Sequence, residues 1–150
     1  MFVSEVMTAK PVTVGPDDTL RTAIARMKET ECRRLPVVNQ NGSLIGIVTD
    51  RDTRLALHSP HILHERWQDE ALLDNITVRL CMTPTPITVE PNTDIAEAVS
   101  LLLRHHIGGL PVLLGETLVG IITTTDVMTA FIRKLQRDER IAEAARLTRR

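Results

Sequence analysis

Apolar residues along this chain fall into short β-branched runs and into stretches with helical spacing, and the two kinds alternate in an order that is used twice. Pro11-Val12-Thr13-Val14 reads as a short strand, which Pro16-Asp17-Asp18-Thr19 stops while offering N-cap oxygens to the next element. Leu20, Ala23, Ile24 and Met27 stand at i, i+3, i+4 and i+7, one face of an amphipathic helix. Leu35-Pro36-Val37-Val38 is a second strand, Asn39-Gln40-Asn41-Gly42 a hairpin-type turn, and Leu44 to Val48 the returning strand. Helical spacing resumes from Asp50 to Leu57. The pattern predicts β-α-β-β-α, led in by Val3 to Thr8.

The same order restarts near Val78. Pro11 matches Pro86 and Pro36 matches Pro111, 75 residues apart in both cases, whereas Gly46 and Gly120 are 74 apart because the second hairpin turn is one residue shorter. Met7-Thr8 thus pairs with Met82-Thr83, Pro16 with Pro91, and Leu35-Pro36-Val37 with Leu110-Pro111-Val112. A register kept over this length, with its gap inside a turn, marks an internal duplication. Two copies do not make a solenoid. A unit of this size has a marginal core alone, so the two sheets are expected to bury their apolar faces against each other about a pseudo-two-fold axis. The organisation expected is a first repeat over 1–57, a linker over 58–77, a second repeat over 78–131 and a helical tail over 132–150. The linker is polar at its ends, is anchored by Trp67 and Leu72-Leu73, and should contain a helix. The tail keeps Ile141, Ala144, Ala145 and Leu147 at helical spacing, which suits docking on a partner subunit.

Composition narrows the function. Of 150 residues 43% are apolar and 25% charged, with a net charge of -1, so no basic field draws nucleic acid or an anionic membrane. Phe2, Trp67 and Phe131 are the aromatics, without Tyr, which argues against base stacking on aromatic platforms. Cys32 and Cys81 have neither CxxC nor metal spacing and read as reduced, small apolar side chains. No apolar run approaches a membrane span and no secretory leader pattern opens the chain, so a cytoplasmic location is expected.

The chemistry concentrates in the last element of each copy. Gly46-Ile47-Val48-Thr49-Asp50-Arg51-Asp52 returns as Gly120-Ile121-Ile122-Thr123-Thr124-Thr125-Asp126. A Thr and an Asp three residues apart at a helix entry lie on one side of the first turn, beside free backbone N–H groups. That corner can simply cap the helix. It can also hold a sugar diol on the carboxylate and a phosphate near the hydroxyl and the helix N-terminus.

Met-Thr-x-x-Pro before the first strand, the Leu-Pro-Val strand and Gly-h-h-Thr-x-x-Asp at the last helix, duplicated in register, resemble paired cystathionine-β-synthase (CBS) domains, the arrangement called a Bateman module. The resemblance covers Val3 to Leu57 and Val78 to Phe131. It implies an α+β fold of two βαββα repeats packed through their sheets, homodimers in which four repeats form a flat disc, and adenosine-ligand clefts between repeats. It also implies roles: Asp52 with Thr49, and Asp126 with Thr123, would hold ribose and phosphate. The adenine edge would be read by the first strand of the opposite repeat, so Asp126 shares a cleft with Thr8, Val12 and Thr13, and Asp52 with Thr83, Ile87 and Thr88. Arg33-Arg34 precede the first Leu-Pro-Val, where relatives that bind phosphorylated ligands often carry basic residues. On this reading AMP, ADP or ATP belongs in the Asp52 cleft, while Gly108-Gly109 leave room in the Asp126 cleft for a bulkier or uncharged compound such as S-adenosylmethionine.

Catalysis finds no support. His58, His61 and His64 could line one helix face, but no Cys or carboxylate set completes a metal site. Nothing places a base beside Cys32 or Cys81, and Asp50 and Asp52 do not face each other on a helix. His105-His106 end a helix, where a cation is favoured. The reading is a non-catalytic regulatory module that needs no cofactor, takes an adenine nucleotide as ligand and signals through its dimer or a regulated protein. The rival from another class is a constitutive dimerisation scaffold with empty clefts.

Overall fold

The computed structural model describes residues 1–57 and 66–147. After a 3₁₀ turn at Val3–Glu5 come β1 (Thr8–Ala9), α1 (Leu20–Glu29), β2 (Arg34–Val38), β3 (Leu44–Thr49) and α2 (Asp50–Leu57). Next come α3 (Arg66–Asn75), α4 (Val78–Cys81), β4 (Thr83–Pro84), α5 (Ile95–His105), β5 (Gly109–Leu114), β6 (Thr117–Thr123) and α6 (Thr124–Leu147). The fold is mixed α+β, with two three-stranded sheets, β2-β3-β4 and β1-β6-β5.

The helices start where side chains can take the first free N–H groups. Thr19 caps α1, its Oγ1 accepting from the Thr22 N–H at 3.3 Å, and the Asp94 carboxylate caps α5 through the Ala96 N–H at 2.8 Å. Leu20, Ala23 and Met27 of α1 are buried, as the spacing predicts. Ala23 and Met27 join Val14, Leu35, Val37, Val48 and Val78 in one core, while Val3, Val89, Ala98, Leu102, Leu110, Val112 and Ile122 form the other.

Each core contains a valine from the opposite repeat, and this exchange is what joins the halves. The N-terminal segment crosses to the second repeat, where Val3 N–H donates to the Thr93 carbonyl at 2.9 Å and Thr8 pairs antiparallel with Ile121. The matching segment of the second repeat crosses back. Val78 N–H donates to the Asp18 carbonyl at 2.8 Å, and Thr83 pairs with Ile47. Gly46 and Gly120 make the crossings possible. A Cβ on Gly46 would stand 2.5 Å from the Met82 sulfur and 3.0 Å from the Thr83 carbonyl oxygen, and one on Gly120 would meet Met7 and Thr8 in the same way. The sulfur of each Met-Thr pair therefore occupies the space that the glycine leaves.

One sequence expectation needs correction. The strand expected over Pro11-Val12-Thr13-Val14 reduces to one parallel bridge from Val14 to Val37, and the lead-in supplies the strand, at Thr8–Ala9. Prolines 11 and 16 bracket that run and deny it ladder donors. The tail is helical over its described part and continues the last helix of the second repeat, α6 running unbroken from Thr124 to Leu147. The linker does contain a helix, α3, tied to α1 by Arg21, whose Nε donates to Asp74 at 2.7 Å. That pair holds the Asp74 carboxyl below its ordinary value. The His58, His61 and His64 triplet lies outside the described residues.

Candidate functional site

Strand β6 ends at Thr123 and α6 begins at the next residue, so Thr123 and Asp126 stand at a strand-to-helix corner. The Asp126 Oδ2 accepts from the Thr123 N–H at 2.8 Å and from Thr123 Oγ1 at 2.7 Å, and the Asp126 N–H donates back to Thr123 Oγ1 at 3.3 Å. Thr49 and Asp52 repeat this arrangement at 2.8, 2.9 and 3.2 Å. Both corners are thus closed reciprocal caps, and the capping role is real. It uses only one carboxylate oxygen. The other oxygen of Asp126, Oδ1, accepts a long 3.4 Å bond from the Thr8 hydroxyl and keeps lone pairs for a further donor.

Asp126 opens onto a cavity of about 570 Å³ that both repeats build. Thr8, Lys10, Pro11 and Val12 come from the crossing segment, Thr30 to Arg33 from the loop after α1 and Arg34 from the start of β2, while Ile121, Thr123, Thr125 and Asp126 come from β6 and α6. Pro11, Val12 and Ile121 give it an apolar wall. Lys10, Arg33 and Arg34 outweigh Glu31 and Asp126 in charge, and these three cations have no ion-pair partner among the described residues. Arg21, Arg26, Arg54 and Arg79 are paired, while among the described residues Lys28, Arg51, Arg104 and Arg133 are as unpaired as the cavity cations, so what sets the three apart is their convergence on one cavity. The volume lies in the range of small-molecule sites, and a diol acceptor, an apolar wall and free cations are what a phosphorylated nucleoside requires.

Backbone conformation marks the rims. Lys10 and Glu31, both lining this cavity, have φ of 49° and 52°, and Thr85 and His106, their counterparts 75 residues on, have 49° and 52°. No other described non-glycine residue has a positive φ. Such residues are held by their surroundings and concentrate at functional sites.

Of the residues assigned from sequence, Thr8 and Val12 line one cavity with Thr123 and Asp126, and Thr13 does not. Its carbonyl accepts from Arg26 Nη1 at 2.8 Å, and it faces a different cavity with Asp17 and Asp18. Arg33 and Arg34 line the Asp126 cavity, while their backbone adjoins the other corner, Arg34 pairing with Thr49 and the Arg33 carbonyl accepting from the Asp50 N–H at 2.9 Å. By the pseudo-symmetry Gly108 and Gly109 fall on the Asp52 side. Thr83 sits opposite Ile47, near the Thr49–Asp52 corner, whereas Ile87 packs against the second core. Thr83, Ile87 and Thr88 are related to Asp52 by the symmetry rather than by a direct contact. Asp52 is instead felt at Cys81, whose thiol is pushed up by burial and, to a lesser degree, by the Asp52 charge.

Lys10, Pro11, Thr30, Glu31, Cys32, Ile121 and Thr125 also line the cavity, and sequence reasoning gives them no binding role. Lys10 and Thr125 sit inside the duplicated motifs, and that adjacency is the available signal. Among the described residues no cluster of three or more His, Cys, Asp or Glu is arranged to hold a metal ion, and no helix is long and apolar enough to cross a membrane.

The CBS domain family model matches residues 3–59 and 76–133. A CBS domain-containing protein of Dictyostelium discoideum is 34% identical over 91% of this chain and 94% of its own length. An uncharacterized protein of Methanocaldococcus jannaschii is 35% identical over 93% of this chain, which spans 53% of that longer protein. Among solved structures, CBSX2 in complex with AMP superposes with a TM-score of 0.74 at 29% identity, covering 88% of this chain and 97% of that one.

Proposed function

The chain belongs to the CBS-domain family, and from that premise we propose that it is a non-catalytic regulatory module whose Asp126 cleft binds an adenine nucleotide. The observation that carries this reading is Asp126 Oδ1, which keeps lone pairs beyond its long bond from Thr8, in a cavity that also holds Lys10, Arg33 and Arg34, none with an ion-pair partner among the described residues. The ribose hydroxyls donate to Asp126, the base lies against Pro11, Val12 and Ile121, and the phosphate takes the cations. AMP in the related CBSX2 structure supports the adenosine class. The reading moves the nucleotide from the Asp52 corner, favoured on sequence, to Asp126.

Regulation comes from where the ligand sits. Its contacts come from the loop and crossing segment of one repeat and from the strand-to-helix corner of the other, so a bound nucleotide favours one inter-repeat geometry over others. Met128, Phe131, Ile132 and Leu135 are all about half exposed or more on one side of α6, which suits a second copy as the element that reads this geometry. The scaffold alternative draws on the same surface but gives no role to three cations that converge on one cavity beside Asp126.

A thermal-shift panel of AMP, ADP, ATP, S-adenosylmethionine and GMP tests the proposal. A nucleotide at 100 times its dissociation constant stabilises by about 2.7 kcal/mol, roughly 5–10 °C for a chain of this size. Adenine nucleotides should give such a shift, GMP a smaller one, and Arg33→Ala should shrink the shift for AMP. A flat response across the panel would favour the scaffold.

A further inference from the structure

The two repeats treat their outer helices differently. In the first, the linker helix α3 lies against α1 and α2 and is fastened by Arg21, which pairs with both Glu70 and Asp74. In the second, α6 passes Phe131, the counterpart of Leu57, and continues as one helix to Leu147, so it cannot turn back onto the α5 of its own chain. The face of α5 differs to match. Ala96 stands where α1 has Arg21, and Leu103, where α1 has Lys28, is 70% exposed. On the neighbouring α6, Met128, Phe131, Ile132 and Leu135 add to this apolar surface. From Phe131 to Ala144 every residue of α6 is exposed, so roughly 20 Å of helix buries none of its side chains. Helices draw most of their stability from packing an apolar face, and this half of α6 has none to draw on within its own chain.

We propose that two copies of this chain exchange their α6 helices, the half beyond Phe131 of each lying across α5 of the other, in the place that α3 takes on α1. The occupant is a second copy because the exposed stripe and the exposed α5 face belong to one chain, and a two-fold contact covers both at once, each copy giving and receiving the same surface. Leu135 of one copy then packs against Leu103 of the other. The inference rests on the second copy named above as the element that reads α6, and it is independent of nucleotide binding. The exchanged helix starts at the Thr123–Asp126 corner, so the element each copy lends to its partner is the one whose first turn carries the candidate cleft.

Light scattering and disulfide trapping on the full chain test the exchange. The wild type should have the mass of two 16.8 kDa chains, and Leu103→Asp, a change at an exposed position of the single chain, should weaken that dimer at least tenfold. In a Cys32→Ala, Cys81→Ala background, a mixture of differently tagged Leu103→Cys and Leu135→Cys chains should oxidise to a mixed dimer faster than either chain links to itself. A dimer that Leu103→Asp leaves intact, or cross-linking of Leu135→Cys to itself without the mixed product, would overturn the exchange and leave the second copy on α6 standing. A monomer at every concentration would remove both, and the thermal-shift panel would still decide the nucleotide reading.

Discussion

Replacing Gly46 by Ala tests how the halves are joined. The new Cβ would lie 2.5 Å from the Met82 sulfur, 3.1 Å from Met82 Cγ and 3.0 Å from the Thr83 carbonyl oxygen. The thioether is flexible and can retreat. The carbonyl belongs to β4, which is pinned against β3 by the Gly46–Pro84 and Ile47–Thr83 register, so relief requires β4 to move off the sheet. Overpacking of this kind costs about 1–3 kcal/mol. A mid-range loss of about 2 kcal/mol corresponds to roughly 4–8 °C in Tm for a chain of this length. Urea denaturation followed by far-UV circular dichroism measures it. Met82→Ala removes the sulfur from the contested space, so the double variant should lose less than the sum of the single ones, with a coupling of about 0.5 kcal/mol or more. A Gly46→Ala protein within about 0.5 kcal/mol of the wild type, or strict additivity with Met82→Ala, would show that the crossing segment is not packed as described.

Other consequences can be checked separately. Thr123→Ala removes the hydroxyl that both donates to Asp126 and accepts from its N–H, and should cost about 0.5–2 kcal/mol in chemical denaturation, with Thr123→Ser recovering most of it. Leu110→Ala empties a fully buried position and should cost about 2–5 kcal/mol by the same assay. The Cys81 thiol titrates above its ordinary value of 9.0 in the folded state, so its contribution to stability is complete below pH 9.0 and declines as pH rises beyond it. Cys81→Ala should flatten that alkaline decline in a Tm-against-pH series, and alkylation of Cys81 should be slower than that of a free thiol. Asp74 has the opposite sign, because its folded pKa lies below 3.8. Its stabilising share is present above that value and is lost as pH falls further, an acid component that Asp74→Asn should abolish.

The hydrophobic pattern is sufficient for the helices and hairpins because both periods are local. Leu20, Ala23 and Met27 point inward from α1, and the Asn39–Gly42 turn closes β2 on β3 with Gly42 at a φ of 79°. What the chain order hides is the exchange. Val3 and Val78 carry no local sign of which core they enter, and a reading that keeps each repeat with its own lead-in places both in the wrong half. The Met-Thr and Gly motifs are legible as repeats, but their fit to each other across the halves emerges only in three dimensions. The cleft shows the same limit. Thr8 and Val12 opposite Asp126 are implied by the family resemblance. Arg33 and Arg34 adjoin the strand that pairs with Thr49, which favours Asp52 on sequence, although their side chains line the other cavity.

Whether an adenine nucleotide binds on Asp126 rather than on Asp52 can be decided by calorimetric titration of AMP into the wild type, Asp126→Asn and Asp52→Asn. Asparagine preserves the shape of each helix cap while removing the charge that receives the ribose hydroxyls. The expected result is saturable binding to the wild type, a loss of at least tenfold in affinity for Asp126→Asn, and a much smaller change for the tight site in Asp52→Asn. Equal affinity in Asp126→Asn and wild type, or a loss confined to Asp52→Asn, would contradict nucleotide binding at Asp126.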